Sequence, residues 1–460
     1  MPLEHTLLEK LSAVVGAEHV STAAADLESH GVDEGWHEGV APEAVVMPAS
    51  TEEVAEVVRL CAAGEIPLVP FGAGTSLEGH IAALRGGISL DLSRMNAIVE
   101  VNAEDMDVRV EAGVRRLALN DYLRHEGLFF PIDPGANASI GGMAATRASG
   151  TNTVRYGTMR DAVMGLTAVL GTGEVVHTGS RARKSSAGYD LTRLLVGSEG
   201  TLGVITEVSL RVHGIPEVIG SATASFGDVA GAVGTVIELI QLGIPVARVE
   251  LLDRAMVAAV NAYADLQLPV QPLLLLEFHG GPDAVAEQSH TVAQLAARHG
   301  GTGWQEATST EERNALWRAR HDAYYAGLAT RPGMKGVSTD VCVPISALAG
   351  QIDAAVTDIA ETGLTAPIVG HVGDGNFHVL IMFDPDDAEE KAAALAFHRR
   401  LVERGLAAGG TCTGEHGIGY GKLPFMKVEH DATALAAMRA IKHGLDPAGI
   451  LNPGKTVPAG

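Results

Sequence analysis

Cysteine is scarce in this sequence. Cys61, Cys342 and Cys412 are the three cysteines among 460 residues, far apart and with no CxxC pair. A thiolate metal site or an iron–sulfur cluster therefore lacks ligands, and the absence of CxxCH excludes covalent c-type haem. Few cysteines in odd number fit a reducing compartment, so a cytoplasmic location is expected. Positive charge is also short: 33 Lys and Arg against 56 Asp and Glu give a net charge of −23. Such a balance argues against nucleic acid and anionic membrane surfaces as partners. No run of about 18 apolar residues occurs, so no membrane span is expected. Residues 1–20 carry Glu4, Glu9 and Glu18 without a long apolar core and do not read as a signal peptide.

What is present is a large apolar fraction, 46%, enough for a sizeable core. The length suggests two to three domains of roughly 100–200 residues. Residues 1–40 read as a helical lead-in and a polar loop. Ala44–Met47 reads as a strand. Ser50-Thr51-Glu52-Glu53 then forms a capping box before an amphipathic helix with Val54, Val57, Val58 and Cys61 on one face, ending near Gly64. Strands are expected at 66–69, 88–92, 97–101 and 108–112, and a helix at 116–126 closed by Gly127. Residues 160–213 read as strand-rich. The mixture is α+β, not a regular βαβ array. The character changes near Ile215-Pro216. Beyond it, helices are expected at 228–242, 283–299, 310–328, 387–408 and 431–444, and strands at 247–252, 272–279 and 338–343.

Three glycine-rich segments stand out in the first half. Pro70-Phe-Gly-Ala-Gly-Thr-Ser-Leu-Glu-Gly79 follows an expected strand. Gly72 and Gly74 would let amides approach an anion, with Thr75 and Ser76 adding hydroxyls. Leu77 occupies the third glycine's place, so the loop is not the Rossmann GxGxxG; nor is it a Walker A loop. A tight structural turn is the plainer reading of this loop alone. Asp133 to Gly150 is rich in small residues, as needed where backbone packs on a flat ring or phosphate, or where a helix packs closely on a sheet. Gly197-Ser-Glu-Gly-Thr-Leu-Gly203 is a third loop running into a strand. Three such loops favour a large extended ligand.

The second half concentrates imidazoles. His371-Val-Gly-Asp-Gly-Asn-Phe-His378 and Gly414-Glu415-His416-Gly417 hold three histidines and a carboxylate. Two imidazoles and one carboxylate suit a divalent ion such as zinc or manganese. One histidine is then left over beside the carboxylate, as a proton abstraction requires. Buried, hydrogen-bonded core histidines are the alternative. Arg318 and Arg320 read as a solvated helix face or as a fork for a carboxylate.

The three glycine-rich segments, as PFGAGTSLEG, DPGANASIGGMAATRASGTNTVRYG and GSEGTLGVITE, resemble the FAD-binding domain of the vanillyl-alcohol oxidase/PCMH flavoprotein family. The resemblance implies a PCMH-type two-subdomain FAD-binding domain holding an elongated, non-covalent FAD. It also implies an α+β cap/substrate domain built on an antiparallel sheet. By that resemblance Pro70, Gly72, Ala73, Gly74, Thr75, Ser76 and Gly79 hold the diphosphate. Pro134, Gly135, Ser139, Gly142, Ser149, Gly150, Tyr156 and Gly157 line the flavin, Glu199, Gly203, Val204 and Ile205 bind the cofactor from the third loop, with Gly203 to Ile205 near the adenine-side strand, and Asn452 returns to the flavin.

LWRARHDAYYA, MKGVSTDVCVP, GHVGDGNFH and GGTCTGEHGIGYGK extend the likeness to flavin-dependent, cytochrome- or quinone-linked D-lactate dehydrogenases and their relatives acting on glycolate and D-2-hydroxyglutarate. This implies His371, His378 and Glu415 as metal ligands, His416 as base, and Arg320 and Lys335 as substrate-carboxylate residues. The relatives acting on D-2-hydroxyglutarate carry Asn and Thr where this chain has Leu380 and Tyr324, which favours a small monocarboxylic acid. The implied division is 1–216 for FAD, 217–425 for substrate and metal, and 426–460 returning to the FAD domain. The implied partners are a small 2-hydroxy acid and an electron acceptor (cytochrome, quinone or electron-transfer flavoprotein), with a homodimer among the expected assemblies. A flavin-free metallohydrolase and a non-redox FAD-fold protein are the rival classes.

Overall fold

The structure is a computed structural model that describes residues 3–460; residues 1 and 2 of the expected lead-in lie outside the described residues. The chain divides into two compact units. The first comprises the residues up to Ser149, Gly157–Ile215 and Glu415–Gly460; the second comprises Gly150–Tyr156 and Pro216–Gly414.

The first unit has two principal sheets. Val20–Ser21 (β1), Ala44–Val46 (β2), Leu68–Phe71 (β3) and Ile88–Asp91 (β4) form one, in the order β1-β2-β4-β3. Its β2–β4 and β3–β4 pairs are parallel. Ile98–Asn102 (β5), Asp107–Glu111 (β6), Val163–Val169 (β8), Val175–Gly179 (β9) and Val204–Arg211 (β10) form an antiparallel sheet ordered β5-β6-β10-β8-β9. Leu128–Phe129 (β7) pairs with His213–Gly214 (β11).

Local chemistry explains the elements. Ser50 caps the helix Thr51–Ala63 by accepting from the Glu53 amide, and Glu53 accepts from the Ala49 amide at 2.7 Å. Val54, Val57, Val58 and Cys61 recur at helical spacing and are fully buried against β2, β3 and β4 residues. Burying each valine is worth about 1.5–3 kcal/mol. The tail joins this core: Ile450 and Leu451 pack in it, and Leu68 donates to the Ile450 carbonyl at 2.8 Å.

The second unit is built on an eight-stranded sheet. Val218–Ser225 (β12), Val246–Leu252 (β13), Leu273–Gly280 (β14), Thr302–Glu306 (β15), Lys335–Ser338 (β16), Val341–Cys342 (β17), Ile368–His371 (β18) and Asn376–Phe383 (β19) follow the order β15-β12-β14-β13-β18-β19-β16, with β17 also on β19. Every pairing is antiparallel. Helices Arg254–Ala264 and Ile345–Thr362 were not anticipated from sequence. The expected helix 310–328 is two, Thr310–His321 and Ala323–Ala329; the His321 ring competes for the Trp317 carbonyl at 2.6 Å at the break. The expected strand 338–343 is also interrupted, at Thr339-Asp340, and the interruption presents acceptors to His378 and Asn376.

Candidate active site

Alternation gives the second unit's sheet two chemically different faces. Val249, Leu251, Leu274, Leu276 and Phe278 line one and are buried. The other carries Arg248, Glu250, Glu277, His371 and His378. Glu250 joins the groups on this face. It is 1% exposed, accepts from Arg320 Nε and Nη2 at 2.6 Å on Oε2, and meets His371 Nδ1 at 2.7 Å on Oε1. A buried carboxylate needs such compensation. With Nδ1–H donated to Glu250, the lone pair of His371 lies on Nε2.

His378 repeats the arrangement, donating Nδ1–H to the Thr339 carbonyl at 2.8 Å. The two rings lie 5.4 Å apart at 85° on the hairpin formed by β18 and β19. Imidazoles whose Nδ1–H is fixed by a carboxylate or a carbonyl are the usual metal-ligating form, with Nε2 as the donor. The pair therefore fits part of a divalent site. Arg248 lies 4.7 Å over the Trp317 ring, and Trp317 Nε1 donates to Ser221 Oγ at 3.0 Å. These contacts anchor the helix Thr310–His321, which carries Arg320 one turn beyond Trp317.

Lys335 is not gathered into this group. It is exposed and opposite Phe383, five residues along β19 from His378. An odd separation on a strand puts the two side chains on opposite faces, which argues against the expected substrate-carboxylate role. Leu380, by contrast, shares the His378 face, is buried, and packs so closely that a Cβ at Gly327 would lie 2.4 Å from it. Tyr156 and Gly150 belong to the second unit, where the Tyr156 hydroxyl is 2.8 Å from His279 Nδ1 and His279 Nε2 is 2.8 Å from Glu277.

The first unit holds the remaining expected residues. No acceptor among the described residues engages the amides of Gly72, Ala73, Gly74 and Thr75, so four successive N–H groups after β3 remain for an anion. That fits a diphosphate. The loop lies against Ser139, whose Oγ a Cβ at Gly72 would approach to 2.3 Å; Ser139 itself caps Gly142 at 3.3 Å. Ser76 Oγ donates to Asp33, and so does the Gly79 amide at 2.7 Å. Pro70, Pro134 and Gly135 are not fully buried, whereas Val204 and Ile205, just after Gly203, point into the cores. Gly157 closes against Asp161.

Ser149 Oγ donates to Glu415 Oε2, and His416 Nε2 lies 3.9 Å from Glu415 Oε1. Glu199 accepts from the Ile418 and Gly419 amides at 2.7 and 2.8 Å. Burial acts to raise its carboxyl, but His80 and these amides outweigh burial and hold it below the usual range. Asn452 Nδ2 donates to the Glu199 and His80 carbonyls at 2.7 and 3.2 Å.

Residues 215–456 match the family model described as FAD linked oxidases, C-terminal domain, and residues 42–179 match the one described as FAD binding domain. The chain belongs to the FAD-linked oxidases. This FAD-linked oxidase is 48% identical over 454 residues to "Probable D-lactate dehydrogenase, mitochondrial" of Danio rerio, covering 98% of the chain and 91% of that protein. It is 46% identical over 417 residues to "D-lactate dehydrogenase [cytochrome], mitochondrial" of Arabidopsis thaliana, covering 91% of the chain and 74% of that protein. The fold is that of the solved p-cresol methylhydroxylase with bound substrate: TM-score 0.80 at 20% identity, over 98% of this chain and 96% of that one. The oxidase has the expected α+β, PCMH-type architecture. Among the described residues no helix is long and apolar enough to cross a membrane.

Sequence reading missed Glu250, the residue that orders the second unit's site. A signal existed: Arg248 and Glu250 stand two apart between apolar residues in Val246–Leu252, so an expected strand carried opposite charges on one face.

Proposed function

We propose that this FAD-linked oxidase converts a D-2-hydroxy acid, D-lactate, to its 2-keto acid, pyruvate, and passes two electrons to a cytochrome, quinone or electron-transfer flavoprotein. The observation that carries the reading is the buried set Arg320–Glu250–His371 beside His378 in a chain of this family. It offers a fixed guanidinium for a carboxylate and two oriented imidazoles in one place. Non-covalent FAD would supply the two-electron acceptor, and a zinc or manganese ion held by His371, His378 and Glu415 would supply Lewis acidity.

The chain's own groups do the rest. Arg320 orients the substrate carboxylate, with Glu250 fixing the guanidinium so that little side-chain freedom is lost on binding. His416 takes the hydroxyl proton while the Cα hydrogen leaves with its electron pair, so the product is the keto acid. Residues 72–75 hold the diphosphate through their amides. The assignment of 1–216 to FAD, 217–425 to substrate and metal, and 426–460 to a returning segment goes with this reading, as does a homodimer. The scarcity of cysteine, three in 460 residues, accords with a reducing compartment such as the cytoplasm, although both relatives are mitochondrial by name.

Glycolate is the second substrate of choice, because it too has one carboxylate. D-2-Hydroxyglutarate is disfavoured by Leu380, whose apolar side chain lies on the His378 face and gives a second carboxylate no hydrogen bond. The test is an anaerobic visible spectrum of the pure protein with D-lactate, L-lactate, glycolate and D-2-hydroxyglutarate in parallel. Bleaching of the flavin band by D-lactate is the expected result. A flavin band that none of these acids bleaches would overturn the substrate, and a colourless protein that does not take up FAD would overturn the cofactor.

A further inference from the structure

The segment Glu415 to Lys422 has an unusual seat within the first unit. Glu199 is 7% exposed and both oxygens of its carboxylate are engaged by this segment and its neighbours. Oε1 takes the Ile418 amide at 2.7 Å; Oε2 takes the Gly419 amide at 2.8 Å and the Thr456 hydroxyl at 2.9 Å. His80 Nε2 lies 3.3 Å from Oε2. The fit is close: a Cβ at Gly417 would lie 2.7 Å from both Glu199 Oε1 and His80 Nε2, and one at Gly419 would lie 2.0 Å from the Glu78 carbonyl. Both glycines also have positive φ, so only glycine serves there without strain. Glu199 itself is a non-glycine residue at φ 54, a conformation retained where the surroundings over-determine it.

Glu78 holds the other end. Its carbonyl accepts from the Tyr420 and Gly421 amides, both at 3.1 Å, and its carboxylate meets Lys422 Nζ at 3.0 Å. Glu78 stands beside Gly79 at the end of the first glycine-rich loop, and Glu199 stands in the third. Both carboxylates are thus spent on protein donors.

We infer that Glu199 is a positioning residue for His416: it is the anchor that sets the backbone of Gly417 to Gly419 and thereby the direction of the preceding imidazole. The inference rests on the reading of His416 as base. It assigns Glu199 a role other than cofactor contact, since both of its oxygens are engaged by protein donors. Two charge-assisted bonds on consecutive amides define orientation as well as position, which a single bond does not. A misplacement of about 1 Å at a reacting group lowers rate by roughly 100-fold.

Glu199→Gln keeps the size but presents one amide donor to an N–H that needs an acceptor. The expected result is a kcat lower by roughly 10- to 100-fold, a KM within about twofold, unchanged flavin content, and faster hydrogen exchange at Ile418 and Gly419. Thr456→Val removes one donor and leaves both amide bonds; it should show the same pattern at smaller size, and it carries the test if Glu199→Gln does not fold. Loss of flavin in step with activity would overturn the inference in favour of a cofactor role. Unchanged kcat with accelerated exchange would also overturn it, leaving a purely structural anchor. His416→Ala separates the two readings: if it turns over normally, the base assignment fails; if it is inactive while Glu199→Gln keeps its kcat, the positioning inference alone fails.

Discussion

Removing the Glu78 carboxylate should destabilise the first unit far more than an ordinary loss of an ion pair. Lys422 is 0% exposed and the Glu78 side chain 5%, with Nζ and Oε1 3.0 Å apart and His37 Nε2 3.3 Å from the other oxygen. Burial acts to raise the Glu78 carboxyl, but Lys422, the His37 hydrogen bond and His416 outweigh it and hold it at about 2, against an ordinary 4.5. At about 1.36 kcal/mol per pH unit this is a contribution on the order of 3 kcal/mol. The folded value lies below the unfolded one, so this stability is fully present above pH 4.5 and is lost as pH falls toward 2. Glu78→Ala also takes the opposing carboxylate from the buried Lys422 charge, a change of about 3–5 kcal/mol. For a unit of this size that is a fall of about 6–20 °C in its thermal midpoint. The double variant Glu78→Ala/Lys422→Met removes both charges and should recover most of the loss. Calorimetry and urea unfolding at pH 7 measure both variants. Repeating the comparison with Glu78→Gln from pH 7 to 3 should give a constant difference that shrinks below pH 4.5. A loss under about 1 kcal/mol for Glu78→Ala, or a double variant as unstable as the single, would refute the argument.

Further outcomes follow from other sites. Arg320→Lys should lower kcat/KM by roughly 10- to 100-fold, because a lysine cannot reproduce the two bonds to Glu250 Oε2, whereas Lys335→Ala should change it by less than about twofold. A large effect of Lys335→Ala would reinstate that residue. Glu250→Gln should weaken zinc or manganese binding by roughly 10- to 100-fold by releasing His371 Nδ1–H, as read by metal content after dialysis. Titration of native protein with a thiol reagent at pH 8 should label Cys342 alone. Cys61 and Cys412 are fully buried and burial pushes the Cys61 thiol up to about 12, so all three should react only after unfolding.

Local elements were largely legible because their causes are local. The cap at Ser50, the valine stripe behind it and the alternation in Val246–Leu252 and Leu273–Gly280 are written in neighbouring residues. Interruptions were not legible. The break at Asp322 and the gap at Thr339-Asp340 arise from hydrogen bonds to partners near or far in sequence: His321 to Trp317, and His378 to Thr339. Lys335 shows the same limit at the site: its motif neighbourhood suggested substrate contact, and strand register turned it to the other face.

Taken by itself, the amino-acid order determined the composition-level exclusions, the glycine loops, and the two short segments that carry His371 with His378 and Glu415 with His416. These depend on residue type and short spacing alone. The tertiary structure alone decided which partner each of those groups received. Glu250 reaches His371 across 121 positions, and Glu199 reaches Ile418 across 219. A buried carboxylate is tolerable only where folding delivers its donors, and for Glu250 and Glu199 those donors come from distant parts of the chain.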